Sequence, residues 1–432
     1  MGRSMLFLVS GFVIITGIIQ ISNNQRASFL PERSITTLNE FQARNSSVSL
    51  ISTAIEKLTI DNEWDGSLSA DKILPGTASL TLYDADSESY PEGITIGAGG
   101  WDGYKVLLYS VATYEGTEVI TEVLMRRDSF SKYSYFSDRE QSSLVGVGDI
   151  YFYGSDVISG PIHTNGTFRM SGSPTFYGHV SSPNMWTSKS LFGDNPDFQS
   201  TTDFNSPTRP LPTNAQITSL KSIANSSGLT FNKPIDVTFK SNGSIDVSEY
   251  NDGSSSWGPV QNYTVNQHNG IISSSEKTRV KGVVSGPITL HSEKDIEIMG
   301  DIEYNSNPVS DPTSTDLLGL VSEENVILDR NAHSYKGSRD VNLHASIMAM
   351  GTSFSVENYS SGGYRGKINL LGGIIQKNRG PVGTFGGWFG DTGFSKNYEY
   401  DVRLRYSIPP HFPRESVFSI LSWKDRVAEV NY

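Results

Sequence analysis

Met5-Leu6-Phe7-Leu8-Val9-Ser10-Gly11-Phe12-Val13-Ile14-Ile15-Thr16-Gly17-Ile18-Ile19-Gln20-Ile21 is an uncharged run in which only Ser10, Thr16 and Gln20 are polar. About 20 apolar residues span a bilayer, and this run sits at the short end of that range. Arg3 precedes it and favours a cytoplasmic N terminus. Three readings are open: a cleaved secretory signal, a plain signal anchor, or the first half of one long helix. A signal peptide needs small residues at the exit of the apolar run, and Ile21-Ser22-Asn23-Asn24-Gln25 is a poor site of that kind.

The residues that follow favour the long helix. Ile35, Leu38, Phe41, Val48, Ile51, Ile55 and Leu58 recur at steps of three, four and seven, the mark of an amphipathic stripe. Pro31 lies between the two halves, where it predicts a kink. The expectation is therefore a helix over residues 1–60. Its membrane part would be carried by Met5, Leu6, Phe7, Leu8, Phe12, Ile14, Ile15, Ile18 and Ile19, and the seven stripe residues would pack.

This order of apolar run, kink and stripe resembles the N terminus of type IV pilins and pseudopilins, specifically the PilX-type minor pilins. The resemblance implies a very short leader, Met1-Gly2, with cleavage between Gly2 and Arg3. It also implies assembly with other pilin-like subunits through the helix. Two departures stand out. The acid usual at the fifth mature position is replaced by Phe7, and Arg3 stands where Phe or Met normally follows the cleavage site.

Beyond the helix the chain reads as β structure. Its 41 Gly, with frequent Ser, Thr and Asn, point to many turns, and its 20 Tyr and 20 Phe to a folded body. Ser79–Tyr83 alternates, Tyr104–Val111 is a second strand, and Thr113–Met125 turns at Glu115-Gly116. These predict a small antiparallel sheet over residues 61–140, packed on the helix.

From Gly146 onward short strands alternate with Gly and Asn corners. Gly160-Pro161-Ile162-His163-Thr164 returns as Gly286-Pro287-Ile288-Thr289-Leu290. This predicts a parallel β-helix-like body over 141–432, with a β-sandwich as the alternative. An insertion is expected at about 182–270, with a helix from Asn214 to Asn225 capped by Thr213 and a hairpin turning at Asn242-Gly243. Ser129–Asp138, Gly160–Gly166, Pro174–Gly178, Leu211–Asn214, Tyr400–Leu404 and Pro409–Pro413 resemble an uncharacterised bacterial domain family in which such a body follows a PilX-type N terminus. That resemblance implies fold and no chemistry.

The chain has no Cys and a net charge of −12, which removes thiolate chemistry and argues against nucleic acid as a partner. Its seven His show no metal-ligand spacing, and no cofactor or metal is expected. The acidic loop Asp84–Glu88 reads as a solvated turn, and His163 as a hydrogen-bonded corner residue. Asp329-Arg330 and Arg339-Asp340 are the best catalytic candidates and read as solvated pairs. Gly386, Gly387, Gly390 and Gly393 form a loop carrying Phe385, Trp388 and Phe389.

The expected function is non-enzymatic. The chain would be a structural or accessory subunit of a type IV pilus-like or pseudopilus assembly, held in a bacterial inner membrane by one helix, with its body periplasmic or extracellular. A surface glycan is a second expected partner. The alternatives are a cell-surface adhesin or glycan-binding protein, and a polysaccharide-active β-helix enzyme.

Overall fold

Leu80 and Leu82 of one short strand, and Leu108 of the next, point to one side of a five-stranded sheet and are buried there against a helix. In the computed structural model the described residues are 2–69, 76–94, 96, 100–142, 149–154, 156–189, 193–265, 268–335, 339–385 and 390–428. Within these, the side chains of 2–15, 17, 23–33 and 334–335 are outside the description. The fold is mainly β. It divides into two compact units, Met1–Asp128 with Val417–Tyr432, and Ser129–Ser416. The sequence boundary at 140 thus moves to 128, and the C-terminal residues join the first unit.

The first unit holds helix α1 (Gly2–Ile60), with described side chains continuous from Ser34. Its sheet contains β1 (Ser67–Ser69), β2 (Thr77–Tyr83), β3 (Lys105–Tyr114), β4 (Thr117–Ser129) and the strand Arg414–Val427, in that order. β3 and β4 pair antiparallel from Lys105 with Arg126 to Tyr114 with Thr117. Their two-residue loop places Glu115 at φ 46 and Gly116 at φ 76, the left-handed pair that matches strand twist. β2 alternates, burying Ala78, Leu80 and Leu82 beside Leu50, Ile51, Ala54 and Leu58 of α1.

The second unit is built on parallel ladders. One inward row runs Leu229, Ile272, Leu290, Leu320, Ile347, Ile374, Tyr135, Ile162, Val180. A second runs Val237, Val280, Ile298, Leu328, Val356. A third runs Leu343, Leu370, Tyr398, Ile158, Phe176, Phe198. Corners between rows reuse one device. Ser274, Ser292 and Ser322 each accept from an N–H two residues on, and each donates to a nearby carbonyl.

The order of the rows is not the order of the chain. The chain enters at β5 (Tyr135–Arg139), in mid-ladder, and proceeds through β6 (Phe152–Tyr153), β7 (Val157–Ile158) and β8 (Ile162–Thr164) to Thr202-Asp203 at one end. Residues 204–228, including α2 (Asn214–Ser227), lead to Leu229 at the other end. Later strands then add to the ladders in turn until the strand Tyr364–Asn378 pairs with β5. A seam therefore joins residues distant in sequence. Because Leu229–Phe231 and Ile235–Phe239 are ladder strands, the stretch 182–270 is not one insertion.

α2 starts in a capping box between Thr213 and Gln216. Its Ile217, Leu220 and Ala224 lie in one buried cluster with Ile271 and with the row Val321, Met348 and Ile375. The hairpin at Asn242-Gly243 pairs Phe239 with Ile245.

Candidate functional site

Two places concentrate unusual chemistry, one in each unit. On α1 the buried positions are Ala43, Ser46, Ser47, Leu50, Ile51, Ala54 and Leu58. Small residues dominate this face, so the helix lies close to the sheet, and Ser47 Oγ donates to Thr121 Oγ1 at 2.8 Å. Of the seven stripe residues, Ile51 and Leu58 are buried, Val48 and Ile55 are half-buried, and Ile35, Leu38 and Phe41 are 57%, 55% and 56% exposed. The stripe thus divides into a part facing the sheet and a part left exposed in the single chain. Three residues fall short of the about 3.6 of a helical turn, so repeated steps of three carry the apolar line around the helix. Small residues take over the contact with the sheet.

Ile18 and Ile19 are 62% and 54% exposed. The side chains of Gly2, Arg3, Met5, Leu6, Phe7, Leu8, Phe12, Ile14, Ile15 and Pro31 lie outside the described residues. Among the described residues no helix is long and apolar enough to cross a membrane.

In the second unit the seam holds buried charge. Arg379 Nη1 donates to Glu140 Oε2 at 2.7 Å, and Lys396 Nζ to Asp156 Oδ2 at 3.0 Å. Both cations come from the late part of the unit and both carboxylates from the early part. Lys396 occupies an inward position beside Ile368. Burial pushes its pKa down, with Asp156 pulling the other way. The Arg379 guanidinium lies 3.8 Å from the Phe152 ring centre and also donates to the Tyr151 carbonyl. Tyr135 OH donates to Glu140 Oε1 at 2.9 Å, and burial drives the Tyr135 pKa up.

A cleft of about 630 Å3 opens beside this cluster. Its walls include Tyr151, Tyr153, Tyr359 and Phe385, with Asp149, Asp156, Lys189, Asp391 and Lys396 among its charged groups. Tyr153 and Phe385 are 45% and 36% exposed. Asp149 is paired with Arg169, and Lys189 Nζ sits 5.2 Å from the Tyr151 ring centre. Sequence reasoning picked out only Phe385 of these. Trp388, Phe389, Gly386 and Gly387 lie outside the described residues.

The catalytic candidates do not converge. Asp329 accepts from the Asn331 N–H within a turn, and Asp340 accepts from the Lys367 N–H. Asp84 likewise folds its own loop by accepting from Asp86 N–H and Ser87 Oγ. Among the described residues no cluster of His, Asp and Glu is arranged to hold a metal ion.

His163 is fully buried on β8, with Nδ1 2.8 Å from Ser181 Oγ and Nε2 3.1 Å from Asn165 Oδ1. His291 repeats the arrangement with Ser273 at 2.9 Å and Glu323 at 3.2 Å. The residue types are those of a hydrolase relay but the ring nitrogens are exchanged, since a relay places serine on Nε2 and the carboxylate on Nδ1. Ser273 is also 2% exposed and His291 fully buried, which leaves a substrate no approach.

The structure thus defines a mainly β protein whose buried polar clusters link neighbouring strands. Residues 109–184 match the family described as Domain of unknown function (DUF4900). No curated protein matches the chain. Among solved structures the chain is similar to the competence-associated pilin ComZ from Thermus thermophilus, at 13% identity and a TM-score of 0.34, over 90% of this chain and 98% of that one. A superposition that loose carries no argument about role.

Proposed function

We propose that this chain is a non-enzymatic structural or accessory subunit of a type IV pilus-like or pseudopilus surface assembly. One observation carries the reading. α1 uses a small-residue face for its own sheet and leaves Ile35, Leu38 and Phe41 in solvent. An apolar helix surface of this kind needs a partner, and the helices of other pilin-like subunits are the partner it suits. The apolar run Met5–Ile21 would hold the chain in the inner membrane, with Gly2-Arg3 as the processing site, and the β body would lie in the periplasm or outside the cell.

The body is read as a parallel β-helix with inserted coils. Parallel register carried through successive short strands supports this and argues against a sandwich, whose sheets are antiparallel. The scattered charge pairs and the buried His relays favour a structural role over polysaccharide cleavage.

Mass spectrometry of the sheared surface fraction tests the proposal. The expected result is this chain among the filament subunits, with an N terminus beginning at Arg3. Filaments that lack the chain, together with unchanged assembly after its deletion, would sink the reading. An intact Met1 would remove the processing step alone.

A further inference from the structure

We propose that the cleft between Tyr153 and Phe385 binds a short neutral oligosaccharide. Its volume of about 630 Å3 falls within the roughly 300–1,000 Å3 of small-ligand sites. Two of its rings, Tyr153 and Phe385, stand partly in solvent, and Tyr151 and Tyr359 complete an aromatic lining. Exposed ring faces favour a ligand that presents C–H surfaces. The rest of the lining is polar. Asp149, which also pairs with Arg169, and Asp391 carry carboxylate acceptors, and the Thr384 and Ser395 hydroxyls, bonded to Thr392 and Tyr364, each keep a further hydrogen-bonding site. A polyhydroxylated ring offers both kinds of surface at once, which a purely apolar ligand does not.

The charge balance selects a neutral ligand. Asp149, Asp156 and Asp391 face two lysines, Lys189 and Lys396, and Arg169 pairs with Asp149, so three cations balance three carboxylates. Lys396 is already held by Asp156, and Lys189 lies over the Tyr151 ring. No excess of positive charge remains to neutralise a phosphate or a sulfate.

The site is also braced. Asp156 Oδ2 accepts from the Tyr153 N–H at 3.0 Å as well as from Lys396, and Arg379 holds the Tyr151 carbonyl. The seam that joins the coils therefore fixes two aromatic walls before any ligand arrives, which lowers the ordering cost of binding. This inference does not rest on pilus membership, since a chain outside any filament keeps the same cleft.

The test uses the full chain in detergent micelles. An array of di- to tetrasaccharides of glucose, galactose, mannose and N-acetylglucosamine is probed with wild type, Tyr153→Ala and Phe385→Ala. A sulfated glycan and a duplex oligonucleotide serve as anionic comparators. Expected is retention of at least one neutral oligosaccharide, weakened about tenfold by either variant while thermal unfolding stays unchanged. No retention at millimolar ligand, binding unchanged by both variants, or stronger binding of either anionic probe would overturn it.

Discussion

Arg379 and Glu140, 239 positions apart in the chain, meet at 2.7 Å with their side chains 3% and 2% exposed. The pair ties the end of the strand Tyr364–Asn378 to the segment that follows β5. Burial by itself would lower the Arg379 pKa, but Tyr135 and Glu140 outweigh it and hold the guanidinium charged. Lys396 and Asp156 repeat the tie one ladder away. An apolar seam would tolerate a shifted strand, whereas two charge pairs accept one register.

Removing one partner strands the other in the interior. Arg379→Ala is expected to destabilise the second unit by about 3–5 kcal/mol, read from urea unfolding. Arg379→Met combined with Glu140→Leu restores apolar volume and should cost clearly less. A double variant as unstable as the single one would mean that the pair contributes net stability and not mainly register.

His163 gives the body a pH dependence. Burial, helped by Arg209 and Lys132 and opposed by the Asn165 contact, pushes its pKa down to about 4. Between that value and the ordinary histidine range near 6.5, the unfolded chain binds a proton that the folded chain refuses. Stability therefore falls as pH drops through this window and levels off below it, by up to about 3 kcal/mol. His163→Gln should lose less stability than wild type between pH 7 and pH 4. Parallel curves for the two proteins would rule out His163 as the source.

The local pieces of this fold were legible and their order was not. Alternation in Ser79–Tyr83, the turn at Glu115-Gly116, the cap at Thr213 and the hairpin at Asn242-Gly243 are all short-range signals, and each element is present. The seam pairs Ile374 with Tyr135, and any inward aliphatic on a short strand could have filled that slot as well. The return of Arg414–Val427 to the first sheet likewise has no local signal. On α1, counting large apolar residues favoured Leu38 and Phe41, while Ala43, Ser47 and Ala54 make the contact. The cleft walls combine Tyr151, Tyr153, Tyr359 and Phe385, which only tertiary structure brings together.

Gly372 is a corner that no other residue fills without strain. It sits at φ +145 within Tyr364–Asn378, and an added Cβ would lie 2.0 Å from the Ala345 carbonyl oxygen of the neighbouring strand. Gly372→Ala should cost about 3 kcal/mol or more, or prevent folding of the second unit. Gly116→Asn is the comparison, because the turn is open and Asn tolerates a left-handed backbone. It should cost less than about 1 kcal/mol. Equal losses in thermal unfolding would refute the distinction.

The two faces of α1 should separate folding from assembly. Ala54 is fully buried beside the sheet, so Ala54→Leu forces extra methylenes into a packed contact and should destabilise the first unit by about 1–3 kcal/mol. Phe41 is 56% exposed and should tolerate Phe41→Ser within about 0.5 kcal/mol. If the exposed side of α1 meets other pilin-like helices, Phe41→Ser lowers the chain's share of the sheared filament fraction while its amount in the cell stays constant. The comparison needs both readouts, because a destabilised chain is also depleted from filaments, through degradation before assembly. Filament content unchanged by Phe41→Ser and Leu38→Ser together would place the assembly contact elsewhere than on this face.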